Sequence, residues 1–209
     1  TINTFNTMQT FTKVLQDNIS PTQALQLLRE GNSRFINNLK FNRNLLQQVN
    51  DTMEGQHPFA VILSCIDSRT SAELIFDQGL GDVFSIRIAG NVLNEDILGS
   101  MEFACKVAGA KIVVVVGHTK CGAIKGACDH VEMGNLTGLL RKIKPAIDST
   151  PYTNGTVYAY PNAVAASNVR YVLGEIVRLS PILREMLEAE EIAIVGGMYE
   201  VETGQVDFL

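Results

Sequence analysis

Two apolar runs, each breaking off into a cluster of reactive side chains, constrain this chain more than anything else in it. Phe59 to Ser64 is apolar or small and reads as a buried parallel strand. Cys65-Ile-Asp-Ser-Arg69 follows at once. In extended chain, positions i, i+2 and i+4 point the same way, which would line Cys65, Asp67 and Arg69 along one side of a strand end. Lys111 to Val116 is a second apolar, β-branched run, followed by Gly117-His-Thr-Lys-Cys-Gly122. Set side by side, the two strand ends offer Cys65, His118 and Cys121, with Asp67 close by.

Three nitrogen and sulfur ligands suit zinc, and three is the number expected where a fourth position stays open for water. The expectation is one Zn2+ per chain on Cys65, His118 and Cys121. Two buried thiols and a core histidine would be the plainer explanation, but Gly117 and Gly122 would let the backbone turn tightly round a site. Zinc lowers the pKa of bound water to about 7, and the hydroxide formed is a nucleophile at neutral pH. Two thiolates make the metal less electrophilic than neutral imidazoles would, so another group must orient the water. Asp67 is placed to accept a hydrogen bond from it, and Arg69 can hold Asp67 ionised in a two-bond pair. The alternative for that pair is a surface salt bridge of little worth.

With Cys65-Ile-Asp-Ser-Arg69 and Gly117-His-Thr-Lys-Cys-Gly122 in place, the chain resembles the β-class carbonic anhydrases. Gln56-His-Pro58 and Phe84-Ser-Ile-Arg-Ile-Ala-Gly-Asn91 support the resemblance, which runs from about residue 20 to the C-terminus. It implies the same ligand set, with Asp67 and Arg69 as the dyad that orients the nucleophile. In some members the aspartate leaves its arginine and becomes a fourth zinc ligand, closing the site. The implied reaction is CO2 + H2O ⇌ bicarbonate + H⁺. The resemblance implies a substrate pocket of Gln56, Phe84, Ala89, Phe103 and Gly122, with Gln56 reaching in from a neighbouring subunit. Phe84 and Phe103 read as core residues on any account. Phe103 stands where many members have tyrosine. Ile62 stands where some bacterial members place the tryptophan of a regulatory bicarbonate site, which puts such regulation in doubt. The family is built on homodimers, often paired into homotetramers. Two rivals stay open: a carbon disulfide or carbonyl sulfide hydrolase on the same scaffold, and a non-catalytic protein whose zinc is structural. A plain nucleotide-binding domain lacks its glycine-rich signature here.

The rest of the chain fits an enzyme of one domain. Its 209 residues can bury a sizeable core, and 46% hydrophobic with 19% charged residues is globular composition. A net charge of −5 with no basic block argues against nucleic acid. No apolar run approaches the ~20 residues that span a bilayer. Four cysteines do not make a disulfide framework in a chain this long. Cys105 reads as a small buried hydrophobe, and Cys128 as a packed thiol along the helix that Cys121 begins. Reduced thiols and no leader pattern point to the cytoplasm; residue 1 is Thr, so a processed leader is left open. His57 and His130 are candidates to relay the product proton, although exposed histidines without a role are the plainer reading.

Strands are expected at Phe59–Ser64, Asp82–Arg87, Lys111–Val116 and Ile192–Val195, then a strand to Phe208 with a turn at Thr203-Gly204. Helices are expected from Pro21 through Ile36, and at Ala72–Asp77, Asp96–Ala108, Cys121–Cys128, Leu136–Ile147, Ala163–Leu179 and Pro181–Glu190. Phe41 to Glu54 reads as a linker. Residues 1–40 read as an N-terminal helical arm, with Phe5, Phe11, Val14 and Leu15 free to pack on another subunit. Alternating strands and helices predict an α/β fold with a mostly parallel central sheet flanked by helices, residues 1–209 forming one domain. Sites on such sheets lie at the carboxyl ends of strands, where both motifs sit.

Overall fold

The computed structural model describes residues 10–152 and 154–209. Five strands form one sheet in the order β2-β1-β3-β4-β5. They are β1 (Ala60–Ser64), β2 (Val83–Arg87), β3 (Ile112–His118), β4 (Ala193–Tyr199) and β5 (Val206–Phe208). All pairs are parallel except β4 with β5. β1 and β3 hold the centre and are buried along their whole length. That explains their unbroken apolar sequence: a parallel strand covered on both faces needs no polar alternation.

Period-two geometry still sorts their side chains. Ala60, Ile62, Ile112, Val114 and Val116 face one helical layer, which holds Ala24, Leu27 and Leu28 of α2 (Pro21–Ile36) and Ala72 and Ile75 of α4 (Ala72–Ile75). Val61, Leu63, Val113 and Val115 face the other. There they meet α5 (Glu95–Glu102), α9 (Ala159–Leu179) and α10 (Pro181–Glu188). A third core lies beyond the strand ends, where Cys65 and Cys121 pack with Ile124, Leu140, Ile143 and Val164.

α2 opens with Ser20 and Gln23 in a reciprocal capping box and Pro21 in its first turn. The preceding helix, α1 (Lys13–Asn18), does not reach outward. Phe11 and Ile19 lie in this chain's own core, and the Gln16 amide donates to the carbonyls of Pro58 and Ala108 at 2.8 Å. The expected N-terminal helical arm is present, and its described part packs on this chain's own core; Val14 is 69% exposed, and Phe5 falls outside the described residues.

Several expected boundaries move. The linker contains α3 (Leu45–Thr52), capped by the Asn44 side chain on the Gln47 N–H. The helix expected from Asp96 to Ala108 is α5 followed by a wider π turn over Phe103–Val107. The helix expected over Leu136–Ile147 is two, α7 (Gly134–Arg141) and α8 (Lys144–Ser149), since Pro145 cannot continue the first. No helix among the described residues is long and apolar enough to cross a membrane.

Candidate metal centre

β1 and β3 pair directly, with Ser64 opposite Val116. Their carboxyl ends therefore deliver Cys65 and His118 to the same place. β3 runs through Gly117 into His118, two residues further than its apolar run. Gly117 is thus in the strand and makes no turn. It is needed for closeness: a Cβ there would come within 2.7 Å of Val169 Cγ2 and 2.9 Å of Met198 Sδ. After His118 the chain turns through Lys120 in the left-handed region (φ 55°), and Cys121 becomes the N-cap of α6 (Gly122–Cys128).

Cys65, His118 and Cys121 are all buried, and their ligand atoms lie within 4.8 Å of one another. The two sulfurs are 3.9 Å apart and form no disulfide. His118 Nδ1 donates to the Thr119 carbonyl at 2.9 Å. That fixes the tautomer and leaves Nε2 with an unshared pair, which is buried and has no partner among the described residues. A buried imidazole nitrogen facing two thiols is a donor set that fits zinc. The Cys121 thiol donates to Cys65 and so draws the Cys65 thiol down to about 4, with help from the Gly90 N–H at 3.3 Å. Cys121, sharing that proton and buried, is pushed up. One thiolate already favoured inside the core is what a cation site needs.

Asp67 and Arg69 do not continue the strand. β1 ends at Ser64, and the next residues turn, with the Thr70 N–H on the Asp67 carbonyl at 3.0 Å. The alternation expected for an extended segment fails here, but the turn achieves more. Arg69 folds back on Asp67 with two bonds, Nε to Oδ1 at 2.8 Å and Nη2 to Oδ2 at 2.7 Å, and its own N–H adds a third at 2.9 Å. These bonds outweigh a smaller penalty from burial and hold the Asp67 carboxyl well below the usual carboxylate range.

A cavity of about 390 Å³ opens beside Cys65 and Asp67, lined also by Ala89, Gly122, Val131 and Leu140. Of the expected pocket residues it gathers Ala89 and Gly122. Gln56 is exposed and precedes β1, at the other end of that strand from Cys65. Phe84 and Phe103 pack edge to face, with ring centres 6.3 Å apart, and neither lines the cavity. Phe103 is not a core residue: it is 52% exposed. Within one chain the cavity thus gathers two of the five expected pocket residues. His130 is exposed and His57 half-buried, and neither lines this cavity. Cys128 is half-buried and outside the donor set.

Two supports escaped the sequence reading. Arg87 donates to the carbonyls of Cys65 at 3.0 Å and Asp67 at 2.6 Å, pinning the turn that carries both. Asn168 donates to the Gly90 carbonyl at 2.9 Å, steadying the loop whose N–H meets the Cys65 sulfur. Asn168 had a signal: one amide on the apolar stripe of Val164, Ala165, Val169 and Val172.

Comparison with known proteins agrees with this geometry. A profile of the family described as carbonic anhydrase matches residues 60–206. Carbonic anhydrase 2 of Mycobacterium tuberculosis is 33% identical over 196 residues, covering 90% of this chain and 92% of that protein. The structure of the β-carbonic anhydrase CcaA superposes with a TM-score of 0.69 at 25% identity, covering 90% and 96% of the two chains. A tetrameric β-carbonic anhydrase of Sordaria macrospora shares the fold with a TM-score of 0.68 at 22% identity, over 78% and 89%. The chain belongs to the carbonic anhydrase family, in its β class.

Proposed function

We propose that the chain is a zinc-dependent carbonate dehydratase that interconverts CO2 and bicarbonate, with Cys65, His118 and Cys121 holding the metal and Asp67 and Arg69 working beside it. The observation that carries this reading is the unpartnered His118 Nε2, buried against two thiols, one of which, Cys65, lines a cavity that also meets an ionised aspartate. When bound, zinc acidifies a water molecule enough to make it a nucleophile at neutral pH. Asp67 accepts the hydrogen bond that orients this nucleophile. Arg69 keeps Asp67 an acceptor only, because a carboxylate gripped by a guanidinium does not protonate near neutrality. Ala89, Val131 and Leu140 give a linear, neutral substrate an apolar wall that excludes competing water. The Gly122 N–H, at the first position of α6, has no partner within the helix and is the donor offered to a substrate oxygen.

Gln56, Phe84 and Phe103 complete the pocket when a second copy of this chain docks, and the half-exposed Phe103 supports that arrangement. The assembly proposed is a homodimer or homotetramer. Free thiols suit a reducing compartment, and the cytoplasm is the one proposed. A purely structural zinc with Asp67 as fourth ligand is less well supported, because both Asp67 oxygens are committed to Arg69.

The test is stopped-flow CO2 hydration at mildly alkaline pH on protein of known zinc content. Rapid proton release that disappears on removing zinc, and again in Asp67→Asn, is expected. One zinc per chain with no CO2 turnover, but turnover of carbon disulfide or carbonyl sulfide, would move the substrate assignment. No turnover of any of them would leave only a structural metal.

A further inference from the structure

The turn between His118 and Cys121 is held from outside the metal centre. The Thr119 hydroxyl donates to Glu200 Oε1 at 2.7 Å and accepts from the Val201 N–H at 3.1 Å. The Thr119 N–H donates to the Tyr199 carbonyl at 3.0 Å. Glu200 is fixed in turn by the Glu202 N–H, at 3.1 Å from the same carboxylate oxygen. β3 has ended at His118 and Lys120 is left-handed, so side chains rather than a ladder of regular structure orient the Thr119 carbonyl: the N–H of the same peptide, that of Lys120, donates to Asn162 Oδ1 at 2.8 Å, and the Thr119 side is held by Glu200. That carbonyl is nevertheless the group that receives the His118 Nδ1–H. An unbroken chain of contacts thus runs from the Glu200 carboxylate, on the turn leaving β4, to the unpartnered Nε2.

We propose that Glu200, acting through Thr119, is a positioning residue for the metal centre: it sets the tautomer and ring angle with which His118 presents Nε2. The inference rests on His118 being a zinc ligand. Neither Glu200 nor Thr119 belongs to the donor set. Their contribution is to hold the Thr119 side of the Thr119–Lys120 peptide, whose N–H is held by Asn162, and so to keep the ring from being released. Groups that orient a ligating histidine in this way commonly change metal affinity about 10- to 100-fold when removed.

The experiment is zinc competition against a chromophoric chelator, with the melting temperature of each metal-free variant measured beside it. Glu200→Ala and Thr119→Val are expected to bind zinc about 10- to 100-fold more weakly. Glu200→Gln still accepts from the hydroxyl, and Thr119→Ser still donates; both are expected to restore affinity. Glu202→Ala, which removes the ion pair with Lys120 on the same turn but leaves the Thr119 contacts, is expected to bind as the parent does. Metal-free melting temperatures are expected to stay together across the set. Unchanged affinity in Glu200→Ala would overturn the proposal, as would a melting loss in the metal-free protein without a loss of affinity. An equal loss in Glu202→Ala would overturn it too, since the whole turn would then be responsible. If Thr119→Val does not fold, the Glu200→Ala and Glu200→Gln pair decides. Parent protein that binds no zinc, or His118→Ala that retains it, would instead overturn the ligand assignment beneath.

Discussion

Among the described residues, two aspartate–arginine clusters are built from the same chemistry and put to opposite uses. Asp67 meets Arg69 two residues along, and the pair stays open, with side chains 17% and 49% exposed. Asp77 is 2% exposed and is gripped by Arg34 from α2 and Arg43 from the segment before α3. The Phe41 N–H adds a third bond at 3.3 Å, and Arg43 also reaches the Asp77 carbonyl. Burial alone would raise the Asp77 carboxyl, but these contacts together outweigh it and hold the carboxyl low. A pair drawn from distant segments and buried fastens the fold. A local pair beside a cavity fastens nothing but itself, and leaves a carboxylate of fixed charge and angle for a ligand to use.

The largest expected effect sharpens this contrast by removing what Asp67 serves. His118→Ala or Cys65→Ala should lose zinc by elemental analysis and reduce CO2 hydration to the buffer background. Asp67→Asn should keep the zinc and the melting temperature while lowering kcat/KM by about 10²- to 10⁴-fold, the usual worth of a positioned proton acceptor. Asp77→Asn should do the reverse. Removing one charge from a buried ion pair costs about 3–5 kcal/mol, read by urea unfolding, and the folded fraction should still bind zinc. Were Asp67→Asn to unfold the protein and Asp77→Asn to spare it, the comparison would be wrong.

Acid should weaken the buried cluster in a way its own variant reveals. The folded Asp77 pKa lies below its ordinary value of 3.8, so its contribution is full above that value and is lost as pH falls through the folded pKa. Unfolding midpoints of the parent should therefore fall on acidification below about pH 4, and those of Asp77→Asn should fall less. The smallest effect expected is from Arg69→Lys. It keeps the charge but not the two-bond grip, and should cost about tenfold in kcat/KM with no change in melting temperature.

These contrasts also mark how far the sequence could be read. The buried strands were legible because a strand covered on both faces leaves a dense apolar signature. The donor set was legible because its members sit directly at the ends of those strands. The Cys65–Arg69 turn was not, since alternate spacing suits a strand equally well, and only the Thr70 and Arg87 contacts bend it. α3 hid in a polar stretch because Leu45, Leu46, Val49 and Met53 remain exposed, so burial gave it no readable stripe. Phe103 was misread as core because hydrophobicity alone does not say which side of a helix end meets the sheet. Glu200 was beyond reach, as its link to His118 depends on β4 lying next to β3.

That Cys65 and Cys121 lie 56 residues apart in sequence has a consequence for the unfolded chain. An ion shared by the two closes a loop of that length. If the ion stayed bound on unfolding, the loop would cost the denatured ensemble roughly 4 kcal/mol of configurational freedom, by the scaling that governs covalent cross-links. Zinc would then act as a removable staple across the β1–β3 crossover, and chelation would relax the folding topology as well as empty the centre.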